Sequence, residues 1–223
     1  MTGPYLLKVL KLACHQAFQH TFVALGNMAI MGIVNTFGTN IIAGYSVAWR
    51  IESLAAMFAM NFGMALTSFT GQNIGANRFD RVKKGFRSTL LMGSIASVVI
   101  SLVVLTSGHH IMGFFTPDQL VVESGAQYLK IASPFYIVFS AMFIIGGVMR
   151  GAGDTLVPMF ITIFSLWVVR IPLAFFLSSF MGETGIWWAV PIGWLSGMIL
   201  SYLYYITGRW KNKRVIYSKL VND

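Results

Sequence analysis

Long apolar stretches separated by short polar segments run through the whole chain, and they recur six times. Each is long enough to cross a bilayer as an α-helix, which takes about 20 mainly apolar residues. In the third stretch, the runs Leu90–Met92 and Val98–Ile100 are apolar on every side, unlike the alternating pattern of a membrane β-strand. The pattern therefore predicts an all-α integral membrane fold with six transmembrane helices, over roughly 13–37, 41–69, 88–105, 121–149, 156–180 and 186–206.

The composition supports the same class and excludes others. The 223 residues are 56% hydrophobic and 10% charged, with a mean hydropathy of +0.70. A soluble domain carries about 25% charged residues, so a soluble enzyme, a disordered chain and a secreted disulfide scaffold are excluded. Cys14 is the single cysteine, which rules out an internal disulfide and a cysteine metal cluster. The chain contains no His-Glu-x-x-His, no Gly-x-Ser-x-Gly and no paired intramembrane aspartates, so we expect neither an enzyme nor a cofactor or metal.

The positions of the basic residues predict the orientation. Acidic residues mark the joints on one side, at Asp118, Glu123 and Glu183. The joints on the other side hold Lys8, Lys11, Arg78, Arg81, Lys83, Lys84, Arg87, Arg150, Arg209, Lys211, Lys213, Arg214 and Lys219. Because cytoplasmic loops are enriched in Lys and Arg, both termini are predicted to be cytoplasmic, which gives an N-terminal segment (1–12), a membrane lobe (13–207) and a basic tail (208–223). This placement explains the net charge of +9 without a nucleic-acid partner.

Two small-residue motifs follow the second and fourth stretches on the basic side. Glycine tolerates positive φ and lets backbones approach closely, so both motifs predict tight joints. We expect Asp154 or Thr155 to cap the next helix, with Pro158 in its first turn. The motif residues are Gly71, Gln72, Gly75, Ala76, Gly151, Gly153 and Asp154.

These motifs, with others in the same order, resemble the C-terminal half of a multidrug and toxic compound extrusion (MATE) transporter. The resemblance runs from about Leu6 to Gly208, and the order and spacing of the motifs make it specific. The matching segments are Val34–Asn35, Gly38, Ala43–Val47, Arg50–Ile51, Gly71–Ala76, Arg150–Thr155, Pro158, Trp167, Arg170–Ala174 and Gly185–Ile186.

The resemblance implies a fold and a function. MATE transporters have twelve helices in two lobes, with substrate held between them, so this chain resembles one lobe. They sit in the plasma (inner) membrane and export organic cations and other drugs against inward flow of H⁺ or Na⁺, by alternating access. The second lobe is then either a missing N-terminal six-helix unit, with Met1–Pro4 as the start of a fragment, or a second copy of the chain in parallel orientation. A lipid-linked oligosaccharide flippase of the same superfamily is the alternative, although Arg50 and Arg170 supply little of the cationic cavity it requires.

Three ionisable residues inside the predicted spans stand out as functional candidates, because charge is costly there. Lys130, near the outer end of the fourth span, is expected to snorkel instead. Arg50 and Glu52 are two positions apart, about 200° around the helix, so they face different surroundings. Glu52 is a candidate proton or cation site, or else an ion-pair partner of another helix, for instance at Arg170. Arg170 precedes Pro172 and is also placed to bind a backbone carbonyl freed by that proline.

Polar residues form two candidate walls of a substrate cleft. The first span carries Gln16, His20, Asn27 and Asn35 near one face, which predicts either a cleft wall or hydrogen bonds to neighbouring helices. In the second span, Met57 and Asn61 share a face with Arg50, and pliable methionines suit varied apolar cations.

The sequence leaves the ion-coupling residue open between two places. Some MATE relatives carry an acidic residue in the seventh or tenth helix, but here the first span offers Gln16 and the fourth offers Tyr136 and Ser140. The resemblance therefore implies that the coupling carboxylate is Glu52 or lies in the missing lobe, and it favours the missing lobe. The basic amphipathic stretch 77–87 is expected either to contact anionic lipid head groups or to form a solvated loop that sets the orientation. His109–His110 is expected to be an interfacial pair.

Overall fold

The computed structural model describes the backbone of residues 3–212 and the side chains of residue 10 and residues 13–211. The predicted cytoplasmic N-terminal segment and basic tail therefore lie partly outside the described residues. Within them the chain is helical, with no strand. The α-helices are α1 (Gly3–Val34), α2 (Thr39–Gly75), α3 (Phe79–Phe115), α4 (Gln119–Ala132), α5 (Tyr136–Gly151), α6 (Leu156–Ile163), α7 (Ile171–Met181) and α8 (Glu183–Ile206).

Six helical stretches of the described chain are long and apolar enough to span a membrane, which confirms the predicted fold class. They are Ala13–Phe37, Thr39–Gly75, Phe79–Phe115, Gln119–Gly151, Leu156–Met181 and Glu183–Ile206. The fourth span is thus α4 followed by α5, and the fifth is α6 followed by α7. The hydrocarbon core of a membrane offers no hydrogen-bond partners to the backbone. Helices suit it because each helix satisfies its own backbone hydrogen bonds.

The second and third helices are longer than the apolar pattern predicted. Each has 37 residues, or about 55 Å at 1.5 Å per residue, whereas the hydrocarbon core is about 30 Å thick. Of the two interpretations of 77–87, the solvated loop is wrong, because α3 begins at Phe79 and makes the stretch an amphipathic helical extension. Val82 and Phe86, one helical turn apart, are buried and anchor this basic extension on the lobe. We call this end of the bundle, where α2 meets α3, the basic end.

Prolines break the two composite spans. Pro134 falls in a 3₁₀ turn, Ser133–Phe135, between α4 and α5. The residues before Pro172 form a π-helical segment, Phe164–Arg170, between α6 and α7. A proline removes a backbone donor and crowds the preceding turn, so both irregularities lie where the backbone ladder is interrupted. Arg170 is the last residue of the π-helical segment, whose turn is wider than that of an α-helix.

Glycines allow α2 and α5 to pack backbone against backbone. A Cβ atom built on Gly147 would lie 2.4 Å from the Gly63 carbonyl oxygen, and one on Gly151 would lie 2.4 Å from the Thr67 carbonyl oxygen. Small residues at such crossings are typical of membrane helix pairs. The two small-residue motifs meet here, since a Cβ on Gly71 would lie 3.3 Å from the Gly151 carbonyl oxygen. The sequence predicted tight joints at these motifs, but the contact between the two motifs is visible only in the structure.

The joints themselves differ from the prediction in two ways. After α2 the positive φ belongs to Asn77, at 59°, while Gly75 is still helical; after α5 it belongs to Gly153, at 91°. Thr155 is the N-cap residue of α6, but the prediction of a side-chain cap is wrong, because no side-chain hydrogen bond caps the helix there. Asp154 instead accepts a hydrogen bond of 2.5 Å from the Tyr204 hydroxyl, and Thr155 Oγ1 lies 3.1 Å from His15 Nδ1. Both side chains thus tie the joint to α8 and α1. Pro158 lies in the first turn of α6, as predicted.

Candidate transport site

The centre of the candidate site is Glu52, which α2 carries toward α4. Its carboxylate accepts a hydrogen bond from the hydroxyl of Tyr128, a fully buried residue. Arg50, two residues earlier, is exposed. The prediction that Arg50 and Glu52 face different surroundings is confirmed. A neutral hydroxyl donor does not cancel the negative charge of a carboxylate when that carboxylate is ionised.

Two aromatic rings, those of Tyr45 and Trp187, fix the position of Tyr128, which is the donor to Glu52. Tyr45 and Trp187 stack with centroids 5.4 Å apart and planes 11° from parallel. Tyr128 meets both rings edge-on, at 5.3 Å from Tyr45 and 5.2 Å from Trp187. Edge-on and stacked pairs add to the energy of burial, so α2, α4 and α8 hold the Tyr128 hydroxyl in one position.

Arg170 supplies a positive charge close to this cluster. Its guanidinium lies close enough for its charge to act on Tyr45, Glu52 and Tyr128. In the described chain, Glu52 makes its direct hydrogen bond with Tyr128 and forms no ion pair with Arg170. Arg170 Nε has no hydrogen-bond partner among the described residues, so a role in binding a carbonyl freed by Pro172 finds no support there.

A recess opens beside Glu52. Its volume is about 210 Å³ when the open mouth is included. Tyr136 lines it, and the Tyr136 and Ser140 hydroxyls have no hydrogen-bond partner among the described residues. The enclosed part of the recess has room for no more than an ion or a water molecule. The lining residues are Glu52, Ala55, Ala56, Tyr136, Phe139 and Trp194.

The face of α2 that was predicted to form a cleft wall is not covered by other helices of this lobe. Arg50 and Asn61 are exposed, and Met57 is 60% exposed. An arginine and an asparagine facing lipid would lack polar partners, so this face suits water or another protein unit. It begins next to Glu52 and continues over about three helical turns.

The predicted polar stripe on α1 is only partly buried against the rest of the lobe. Gln16 and Asn27 are half-buried, whereas His20 and Asn35 are exposed. Among the described side chains of α1, His15 and Gln19 instead hydrogen-bond to the rest of the lobe: His15 Nδ1 lies 3.1 Å from Thr155 Oγ1, and the Gln19 amide donates to Thr162 Oγ1 at 3.0 Å. In the same region Trp167 donates to the Phe22 carbonyl at 3.1 Å. His20 and Asn35 are the members of the stripe that stay exposed in this lobe.

Sequence reasoning missed Tyr128 and Trp187, and assigned Tyr45 no role. No local pattern joins positions 52 and 128, which are 76 residues apart and meet only through packing. Over the part of the chain described, no three His, Cys, Asp or Glu side chains come together in a group that could hold a metal ion.

Comparison with known proteins identifies the family. The MatE family model matches residues 16–176, which is more than half of the chain. The chain belongs to the MATE family. The probable multidrug resistance protein YoeA of Bacillus subtilis is 31% identical over 217 residues, covering 96% of this chain and 47% of YoeA. The probable multidrug resistance protein NorM of Thermotoga maritima is 24% identical over 222 residues, covering 97% of this chain and 47% of NorM.

Solved MATE structures share the fold of this chain. A multidrug resistance MATE family transporter in its outward-facing conformation matches with a TM-score of 0.85 at 17% identity, over 93% of this chain and 47% of that one. An inward-facing structure of such a transporter matches with a TM-score of 0.83 at 17% identity, over 92% of this chain and 48% of that one. The MATE chain described here spans about half the length of the curated relatives it matches, and it forms one six-helix lobe.

Proposed function

We propose that this lobe serves a multidrug exporter that moves amphipathic organic cations out of the cell by antiport with H⁺ or Na⁺. The observation that carries the proposal is the uncovered face of α2, where Arg50 and Asn61 lie beside exposed methionines, in a chain of the MATE family. Polarizable methionines adapt to varied apolar cations, and the polar residues require water or a protein partner. The wall formed by Gln16, His20, Asn27 and Asn35 of α1 would complete this side of the cleft.

The transport mechanism is alternating access by a lobe that moves as a unit. This lobe resembles half of an outward-facing and half of an inward-facing MATE structure about equally, with TM-scores of 0.85 and 0.83. Backbone packing between α2 and α5 at Gly63 and Gly147 favours such rigidity. A coupling ion shifts the equilibrium only through different affinities for the two states.

Glu52 is the coupling carboxylate that this lobe itself offers. It is the acidic residue placed away from the ends of the spans, and its recess admits an ion beside Tyr136. Occupation by H⁺ or Na⁺ would cancel a charge that the neutral Tyr128 hydroxyl does not cancel. The anionic character of this recess disfavours a flippase that must hold a pyrophosphate group.

The remaining parts of the proposal concern assembly and orientation. The exposed faces of α1 and α2 suit a second six-helix lobe, supplied either by an N-terminal unit or by a second copy of the chain. The excess of basic residues at the basic end supports cytoplasmic termini in a plasma membrane. Segments 1–12 and 208–223 then flank a membrane lobe over 13–207.

Export of ethidium from bacterial cells that lack their main drug exporters tests the proposal. The chain is expressed in the form that its gene encodes, and ethidium accumulation is followed with and without agents that collapse the proton or sodium gradient. We expect lower accumulation than in cells with an empty vector, and loss of the difference when one gradient is collapsed. Equal accumulation with and without the protein, at verified membrane levels, would refute export of such cations.

A further inference from the structure

A second recess lies toward the basic end, among α1, α5, α6 and α8. Its volume is about 270 Å³ when the open mouth is included. Its polar lining comes from Gln19, Arg150, Thr162 and Ser201, and it contains no acidic side chain. It shares no lining residue with the recess at Glu52, so it is a separate site.

Arg150 dominates this recess because its side chain folds back along its own helix. A Cβ atom built on Gly146 would lie 3.1 Å from Arg150 Nη1 and 3.3 Å from Nη2, so the glycine makes room for the guanidinium. Nη2 donates a hydrogen bond of 3.3 Å to the Phe143 carbonyl oxygen, two turns earlier. The arginine that the sequence placed in a joint thus lies half-buried inside the bundle.

The charge of Arg150 has no counterpart in the described chain. No carboxylate forms an ion pair with it there, and Asp154, the nearest acidic residue along the chain, is engaged by Tyr204 at 2.5 Å. A guanidinium carries five N–H donors, of which one is used at a long distance. Holding an unmatched charge in apolar surroundings is costly, and an anion in the recess would remove that cost.

The other polar groups of the recess fit the same ligand. The Gln19 amide donates to Thr162 Oγ1 at 3.0 Å, and the Thr162 hydroxyl donates to the Pro158 carbonyl at 2.8 Å, which fixes both side chains at the wall. Ser201 places a third neutral polar group there. The Thr162 hydroxyl proton is therefore committed to Pro158, which leaves the guanidinium, the second Gln19 amide N–H and the Ser201 hydroxyl as donors for a ligand. A planar guanidinium beside such neutral donors, with no carboxylate that would repel an anion, is the arrangement that binds a phosphate group.

We propose that the Arg150 recess binds a phosphate group, either that of an anionic lipid or a soluble phosphate. Basic pockets between membrane helices on the cytoplasmic side commonly receive lipid head groups. Bound phosphate would link α5 to α1, α6 and α8 at the basic end, so it would also stabilise the lobe.

Binding to the purified full chain in detergent tests this site. The probes are phosphatidylglycerol with eight-carbon chains, phosphatidylcholine with the same chains, and inorganic phosphate. We expect Arg150→Gln to weaken phosphatidylglycerol or phosphate binding by about tenfold or more, the loss typical of a charge-assisted hydrogen bond. Arg81→Gln, which removes an exposed charge near the same end, controls for surface electrostatics and should change the affinity less than about twofold.

A second measurement needs no substitution at the site. Phenylglyoxal modifies arginines, and mass spectrometry reads the extent at Arg150 and Arg81 separately in the unaltered protein. Slower modification of Arg150, but not of Arg81, by phosphatidylglycerol alone identifies a lipid site, and by inorganic phosphate identifies a soluble one. Equal loss of binding in Arg150→Gln and Arg81→Gln, or no protection of Arg150 by either probe, overturns the proposal.

Discussion

The Glu52 carboxylate accepts its hydrogen bond from the Tyr128 hydroxyl across the contact between α2 and α4. The donor is in turn fixed by its ring contacts with Tyr45 and Trp187. A change in the charge of Glu52 therefore acts directly on the packing of α4 and α8 against α2. This relationship gives the lobe a physical connection between an ion at Glu52 and its own helix arrangement.

Removing the Tyr128 hydroxyl tests that connection. Tyr128→Phe keeps the ring packing but leaves Glu52 without its donor, so we expect a stability loss of about 1 kcal/mol and altered ion dependence of export. Thermal unfolding in detergent and gradient-driven ethidium transport measure the two effects. Tyr202→Phe, at a tyrosine that is 50% exposed, is the matched control and should change neither. Wild-type stability and ion dependence in Tyr128→Phe would show that the hydrogen bond has no such role.

The exposed face of α2 is predicted to line the substrate cleft. In a Cys14→Ser background, Asn61→Cys should react with a water-soluble thiol reagent, and ethidium should slow that reaction. Met92→Cys, at a 57% exposed apolar position of α3, should react slowly with or without ethidium because that position faces lipid. Mass spectrometry of the labelled protein gives both rates. If Asn61→Cys reacts as slowly as Met92→Cys, the α2 face is not a water-filled wall.

The contact between α2 and α5 is predicted to tolerate no added side chain. Gly147→Ala would put a Cβ 2.4 Å from the Gly63 carbonyl oxygen, so the helices must separate. We expect a loss of about 1–3 kcal/mol in stability, as for overpacked cores. At Gly32 of α1 nothing lies within 4 Å of the added Cβ, and Gly32→Ala should be neutral or stabilise by up to about 1 kcal/mol. Melting temperatures in detergent compare the two; similar values would argue against backbone packing at Gly147.

Much of the fold could be predicted because a helix that spans a bilayer requires a long apolar run, which is visible in the sequence. The six spans followed from hydropathy, whereas the contact between the two glycine motifs became visible only once α2 and α5 were packed together. The length of α3 did not, because the charges from Arg78 to Arg87 interrupt the apolar run while Val82 and Phe86 continue its helical period. The side-chain cap of α6 was predicted wrongly, because Asp154 and Thr155 instead contact partners on α8 and α1 that are distant in sequence.

The sequence identified some residues of the candidate site individually, but it did not show which of them lie together. Intramembrane charge pointed to Glu52 and Arg170, and the structure brings them into one cluster. Tyr128 looked like any aromatic residue of a membrane helix, and Arg150 like an orienting charge of a joint. Their roles depend on which helices pack together, and hydropathy alone does not determine that packing.

Gradient-driven drug transport by Glu52→Gln tests the central claim most directly. The protein, in the form that its gene encodes, is reconstituted in vesicles, and ethidium transport is measured under an imposed proton gradient and an imposed sodium gradient. Glu123→Gln, at an exposed carboxylate of α4, is the matched control. We predict that Glu52→Gln abolishes most of the transport driven by one of the gradients, while Glu123→Gln matches the wild type. Wild-type transport and gradient dependence in Glu52→Gln, at equal protein levels, would contradict the account and locate ion coupling outside this lobe.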